Sequence, residues 1–127
     1  DKLFVNGADY DKVDGTGVRD YIHVCDLADG HVKALKYLAT KTGGRFVFNL
    51  GTGHGYSVLE VIKSYEKACG HDIPYEIRGR REGDLPVSYA DTSKSLNELG
   101  FKAERGIDVM CADSWKWQTM NPEGLKD

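Results

Sequence analysis

Apolar residues recur at helical spacing in three stretches of the chain, separated by short β-rich runs and glycine-rich turns. Ala28, Val32, Leu35, Leu38 and Ala39 mark one face of a helix that Asp26 is placed to cap and Gly43-Gly44 to stop. Val58, Val61, Ile62, Tyr65 and Cys69 mark a second. Ser57 and Glu60 supply the S-x-x-E capping box at its start, and Gly70 stands where a left-handed C-terminal glycine belongs. A last helix from about Ile107 to Met120 puts Ile107, Met110, Cys111, Ser114 and Gln118 on one stripe, with Trp115 or Trp117 at its flank. Asp91-Thr92-Ser93 is a cap for a shorter helix ending at Gly100.

Between these lie strand signals at Tyr21 to Val24, Arg45 to Leu50 and Pro74 to Ile77. Asn6 to Gly17 reads as a long loop of turn-forming residues, and Arg78 to Pro86 as a charged one. Leu3-Phe4-Val5 resembles the tail of an element already under way. Strands alternating with helices predict an α/β layer arrangement. With four short strands at most, the expected fold is a small mixed sheet with helices, a platform that covers a ligand held against something else.

At 127 residues and 40% hydrophobic positions the chain suffices for one domain with a core. A formal net charge of -3 excludes an overall basic field that would hold nucleic acid or an anionic membrane by counterion release. No apolar run approaches the roughly 20 residues that span a bilayer, and no secretory signal opens the chain. It begins at Asp1 rather than Met, as a piece of a longer protein is expected to. Cys25, Cys69 and Cys111 form no CxxC pair and have no partnered histidine spacing, which argues against a zinc site or a disulfide framework. Each reads as a small buried apolar residue, and a cytoplasmic location fits them best.

The densest chemistry lies in Arg78-Gly79-Arg80-Arg81-Glu82-Gly83-Asp84-Leu85-Pro86. Guanidinium forks suit bidentate phosphate contacts, glycines let backbone approach a ligand, and Asp84 can accept from a sugar hydroxyl. The plainer alternative is a solvated loop whose Arg and Glu pair weakly with each other. A second constellation, Asp14-Gly15-Thr16-Gly17-Val18-Arg19-Asp20-Tyr21, brings Arg19 and Tyr21 to one strand face, so that two arginine-bearing loops suggest a diphosphate. Here the alternative is that Arg19 pairs with Asp20 or a helix carboxylate and Tyr21 is a half-buried strand residue. Gly51, Gly53 and Gly55 sit between a strand and a helix, but their spacing departs from G-x-G-x-x-G, and no acidic residue ends a second strand about 20 residues on. A dinucleotide turn is therefore not expected there. His23, His31, His54 and His71 have no metal or nucleophile partner at useful spacing.

These motifs converge. DGTGVRDYIHVCDLADGHVKAL at 14–35, FNLGTGHGYSVLEVI at 48–62, KACG at 67–70 and RREGDLPVSYADTSK at 80–94 closely resemble the C-terminal part of the UDP-glucose (UDP-galactose) 4-epimerase family. The likeness runs from Val5 to Pro122. It implies an α/β fold that is the C-terminal substrate-binding domain of an extended short-chain dehydrogenase/reductase, spanning 1–127 and lacking the Rossmann domain. In that family the Rossmann domain holds NAD and a Tyr-x-x-x-Lys pair, while the smaller domain binds the UDP part of a UDP-hexose. C4 is inverted through a 4-keto intermediate.

The resemblance implies that Arg19, Tyr21 and Arg81 address the diphosphate and that Asp84 bonds the uridine ribose. It further implies that Val58 lines the nucleotide pocket and that Phe4 and Asn6 flank uracil, largely through backbone groups. Ser88 falls where members preferring unacetylated hexoses carry a bulky Tyr, so the expectation extends to UDP-N-acetylhexosamines. Tyr37 and Lys41 have the Tyr-x-x-x-Lys spacing, but they lie well inside the region that should follow the catalytic pair. With neither a base nor an NAD site expected in these 127 residues, the chain alone should not be catalytic. A homodimer is implied for the full-length enzyme and a monomer for this piece. A stand-alone, non-catalytic nucleotide-sugar-binding module is the alternative.

Overall fold

The computed structural model describes residues 2–12 and 14–125. Two small sheets form where one was expected. Strand β1, Leu3–Asn6, runs parallel to β4, Tyr75–Arg78, in the register Leu3 to Tyr75 through Asn6 to Arg78. The second sheet has β2, Val18–Arg19, at its centre, antiparallel to β3, Tyr56–Ser57, and parallel to β5, Val87–Ser88. Four helices complete the chain: α1 Val24–Ala39, α2 Val58–Cys69, α3 Ser93–Leu99 and α4 Ile107–Met120.

Helix α2 has the predicted bounds because its ends are specified locally. Ser57 Oγ accepts from Glu60 N at 3.1 Å while the Glu60 carboxylate accepts from Ser57 N at 2.7 Å, and Gly70 closes the helix at φ 77°. Its apolar face meets α4 through buried Ile62 and Cys111. Around them Ser64 Oγ donates to Asp108 at 2.7 Å and Tyr65 Oη to Ser114 Oγ at 2.8 Å. Phe101 is buried near Gly30 of α1, where an added Cβ would stand 3.2 Å from the Phe101 ring and 2.7 Å from Leu50 Cδ1.

Three expectations are corrected at α1. The strand expected at Tyr21 to Val24 lies earlier, at Val18–Arg19, and α1 already begins at Val24. His23, not Asp26, is the N-cap: its Nδ1 accepts from Cys25 N at 3.0 Å. Asp26 is drawn inside instead, where it accepts from the Arg105 guanidinium and from the backbone amides of Glu104 at 3.2 Å and Arg105 at 2.9 Å. Burial pushes its carboxyl up, but these donors outweigh burial and hold it below the ordinary value. The stripe of Val32, Leu35 and Leu38 points outward, so the predicted apolar face of α1 is exposed within this chain.

The strand expected at Arg45 to Leu50 is likewise not formed. Its β-rich sequence finds no partner strand among the described residues; Val47 O accepts from Lys94 Nζ at 3.0 Å, and Asn49 Nδ2 donates to Asp91 O at 3.2 Å. Cys111 is buried as expected, but Cys69 is half-buried and Cys25 exposed. The chain exposes 8913 Å², against about 6,700 Å² for a self-contained monomer of its mass. Among the described residues no helix is long and apolar enough to cross a membrane.

Candidate functional site

The site begins where β2 meets β5. Val18 N donates to Pro86 O at 2.9 Å, and the parallel register sets Arg19 opposite Ser88. The Arg19 guanidinium then reaches Asp84 Oδ1 at 2.7 Å, while Arg81 contacts Asp84 Oδ2 through Nη2 at 3.2 Å and Nε at 3.3 Å. Burial tends to raise the Asp84 carboxyl, but the two guanidiniums hold it below its ordinary value. Two cations share one anion, so the cluster keeps an excess of positive charge suited to an anionic ligand.

The loop's other arginines do different work. Arg78 closes β4 and stacks on Phe4, its Cζ 3.2 Å from the ring centroid. Arg80 lies over Tyr10 at 4.1 Å and donates to Asp9 Oδ1 at 2.7 Å, lowering the Asp9 carboxyl. The loop is solvated, as the plainer alternative has it, but Arg80 and Arg81 take Asp9 and Asp84 as partners and not a glutamate. The pairing of Arg19 with Asp20 is overturned, since Arg19 takes Asp84.

The remaining expected residues are spread out. Phe4 and Asn6 sit on β1, in the other sheet. Val58 opens α2, its amide donating to Thr16 Oγ1 at 3.1 Å and Gly17 O at 3.2 Å. Tyr21 lies beyond the end of β2 and lines a cleft of about 680 Å³ with Val61, Tyr65, Met110 and Trp117, whereas Arg19 and Ser88 line a separate depression of about 550 Å³ with Phe48, Asn49 and Tyr89. A shared strand face for Arg19 and Tyr21 is therefore not what forms, because the strand ends at Arg19, two residues short of Tyr21. Burial raises the Tyr21 phenol, and the Arg19 charge opposes that shift in part.

Thr16, wholly buried, and Asp14 fasten this region to α2. Asp14 accepts from Thr16 N at 2.9 Å, from Thr16 Oγ1 at 2.7 Å and from Ser57 Oγ. Burial would raise the Asp14 carboxyl; these donors hold it lower. Asp20 and Arg78 lie within the two sequence constellations, but nothing near either in the sequence announces what it does. Their neighbours in space are 32 to 74 positions away, at Thr52, Ala90 and Phe4, and leave no local signal.

No family model matches the chain. It is 63% identical over 123 residues to the UDP-glucose 4-epimerase of Bifidobacterium longum, a match covering 97% of this chain and 36% of that protein. To the UDP-glucose 4-epimerase of Bacillus subtilis it is 54% identical over 126 residues, covering 99% of this chain and 37% of the relative. The crystal structure of the Bifidobacterium longum enzyme, in complex with NAD+ and UDP, superposes with a TM-score of 0.91 at 61% identity, over 98% of this chain and 36% of that one. The chain matches the C-terminal part of the UDP-glucose 4-epimerases. It spans about a third of the length of these relatives.

Two features usually sought in an NAD-dependent epimerase do not fit the residues present. The turn at 51–53, which alone resembles a dinucleotide loop, already has its donors engaged: Asp20 accepts from Thr52 N, Thr52 Oγ1 and Gly53 N at 2.9, 2.6 and 3.0 Å. A carboxylate seated there repels a pyrophosphate, and the start of α2 is capped by Ser57. The Tyr37 hydroxyl donates to Glu98 at 2.8 Å, while Lys41 Nζ stands over the tyrosine ring at 4.3 Å instead of beside its oxygen. That pair is a cation–π contact. Among the described residues no group of three or more His, Cys, Asp or Glu side chains could hold a metal ion.

Proposed function

We propose that this chain forms the UDP-hexose-binding part of an NAD-dependent UDP-glucose/UDP-galactose 4-epimerase. The observation that carries this reading is the Arg19–Asp84–Arg81 cluster standing beside Ser88 across the β2–β5 pair. Arriving diphosphate takes the guanidinium forks of Arg19 and Arg81, and Asp84, released in part from both, accepts from a ribose hydroxyl. Phe4, Asn6 and Val58 serve the uridine end, with Tyr21 near the phosphates. NAD and the reacting base belong to the Rossmann domain outside this chain. The outward stripe of α1, the unpaired segment 45–50 and the large total surface are what such a domain would cover. The full-length protein is then a cytoplasmic homodimer, and this chain alone a monomer.

Titrating UDP into the chain while following backbone amide resonances tests the reading. Saturable shifts gathered at Arg19, Arg81, Asp84 and Val58 are expected; a well-folded chain showing none overturns it. Mixing with a separately made NAD-binding half should restore epimerisation. UDP binding without such rescue points to the stand-alone binding module. Ser88, exposed on β5, leaves space for a 2-acetamido group. In a reconstituted enzyme Ser88→Tyr should cut turnover of UDP-N-acetylhexosamines by about tenfold or more while sparing the plain hexoses; equal retention on both would refute the steric argument.

A further inference from the structure

The carboxylate of Asp20 does more than fill a turn. Besides the three donors from Thr52 and Gly53, its Oδ2 accepts from Ala90 N at 3.1 Å, and its own amide donates to Ser88 O at 3.1 Å. One residue thus holds the main chain on both sides of Tyr89, through its own amide at the Ser88 carbonyl and through its side chain at Ala90 N. The packing at this point is close: a Cβ on Gly51 would fall 2.5 Å from Asp20 Oδ2 and 2.8 Å from Ala90 Cβ, so only glycine lets the turn reach the carboxylate. The preceding residue, Arg19, holds Asp84.

We infer that Asp20 is the positioning residue that fixes Ser88 relative to Arg19, and thereby sets how well the site holds the hexose as distinct from the nucleotide. The inference rests on the UDP-hexose reading above. An Asp20→Ala change removes both acceptor oxygens, whereas Asn can keep its oxygen on Gly53 N and Ala90 N by turning its NH2 toward the Thr52 hydroxyl. Without the carboxylate the acceptor for Gly53 N and Ala90 N is lost and the 88–90 segment is released. Arg19, Arg81 and Asp84 do not depend on those contacts.

The test compares UDP with UDP-glucose and UDP-N-acetylglucosamine on the wild-type chain and on Asp20→Ala, by calorimetry, with amide hydrogen exchange at Gly53 and Ala90 read alongside. Wild type should bind the UDP-sugars more tightly than UDP. In Asp20→Ala the two amides should exchange faster, and UDP-sugar affinity should fall by about tenfold while UDP affinity changes by less than about threefold. A merely structural role would lower stability and weaken all ligands together, leaving the ratio unchanged, and that result overturns the inference. Thr52→Val removes the hydroxyl that donates to Asp20 and accepts from His54 N, leaves the three backbone donors to Asp20 in place, and guards against a variant that does not fold; it should move the same ratio by a smaller factor, and no movement counts against the idea. Wild type binding UDP with an unaltered ratio in both variants sinks this inference alone. Wild type binding no UDP sinks the underlying reading and this inference with it.

Discussion

Helices α2 and α4 meet through Ile62 and Cys111, at 4% and 1% exposure, inside a rim of hydrogen-bonded Ser64, Tyr65, Asp108 and Ser114. Helix α1 carries an equally regular apolar stripe yet leaves Val32, Leu35 and Leu38 at 48%, 67% and 49% exposure. Helical periodicity reports that a face is meant for burial; it does not say which part of a protein buries it. On α1 the buried positions within this chain are Asp26 and Gly30, both polar or side-chainless, held by Arg105 and by the approach of Leu50 and Phe101.

The contrast can be broken most directly by truncating one apolar residue on each side of α1. Phe101→Ala, emptying a wholly buried site, should cost about 3–5 kcal/mol in urea unfolding, whereas Leu35→Ala should stay within about 0.5 kcal/mol. Equal losses would mean that the stripe is covered after all. Asp26→Ala comes next: two backbone amides and a guanidinium lose their acceptor, at a cost of about 1–3 kcal/mol. Acid should act on the same contacts. Asp14, Asp20 and Asp26 are each desolvated, yet their hydrogen-bond donors hold each carboxyl below its unfolded value. Their stabilisation is therefore complete above about pH 4 and is lost as pH falls through the folded values. Flat stability from neutrality down to about pH 2 would contradict that assignment. Ser57→Ala should cost about 1–2 kcal/mol, because α2 loses its cap and Asp14 loses a donor, measured by the same unfolding curves; an unchanged midpoint would show both contacts to be idle.

How much of this was legible follows from where the specifying groups lie. The capping box of α2 spans four residues and its closing glycine adjoins the last turn, so both ends are written locally. The strands β2, β3 and β5 have two residues each, too few for any alternation to register, and only their mutual pairing defines them. Asp26 stands where an N-cap residue often does; its true partner, Arg105, is 79 positions away. At the candidate ligand face the arginines are visible in the sequence as a charged cluster, but nothing local says that Arg19 and Arg81 converge on one carboxylate or that Arg78 leaves them to cover Phe4.

The pairing of Arg19 with Asp84 closes a loop of 65 residues, Asp20 with Ala90 one of 70, and Ser57 with Asp14 one of 43. Such distant closures cost chain entropy before they return any contact energy. Helix α2, by contrast, can start from a single turn of its own sequence. The packing of α2 on α4 needs closures of similar length, 44 positions for Ser64 with Asp108 and 49 for Tyr65 with Ser114. The candidate ligand face draws on residues from Asp14 to Ala90, so it is complete only once that whole span is free to fold, which separates the moment at which a single turn of α2 can form from the moment at which the face can bind.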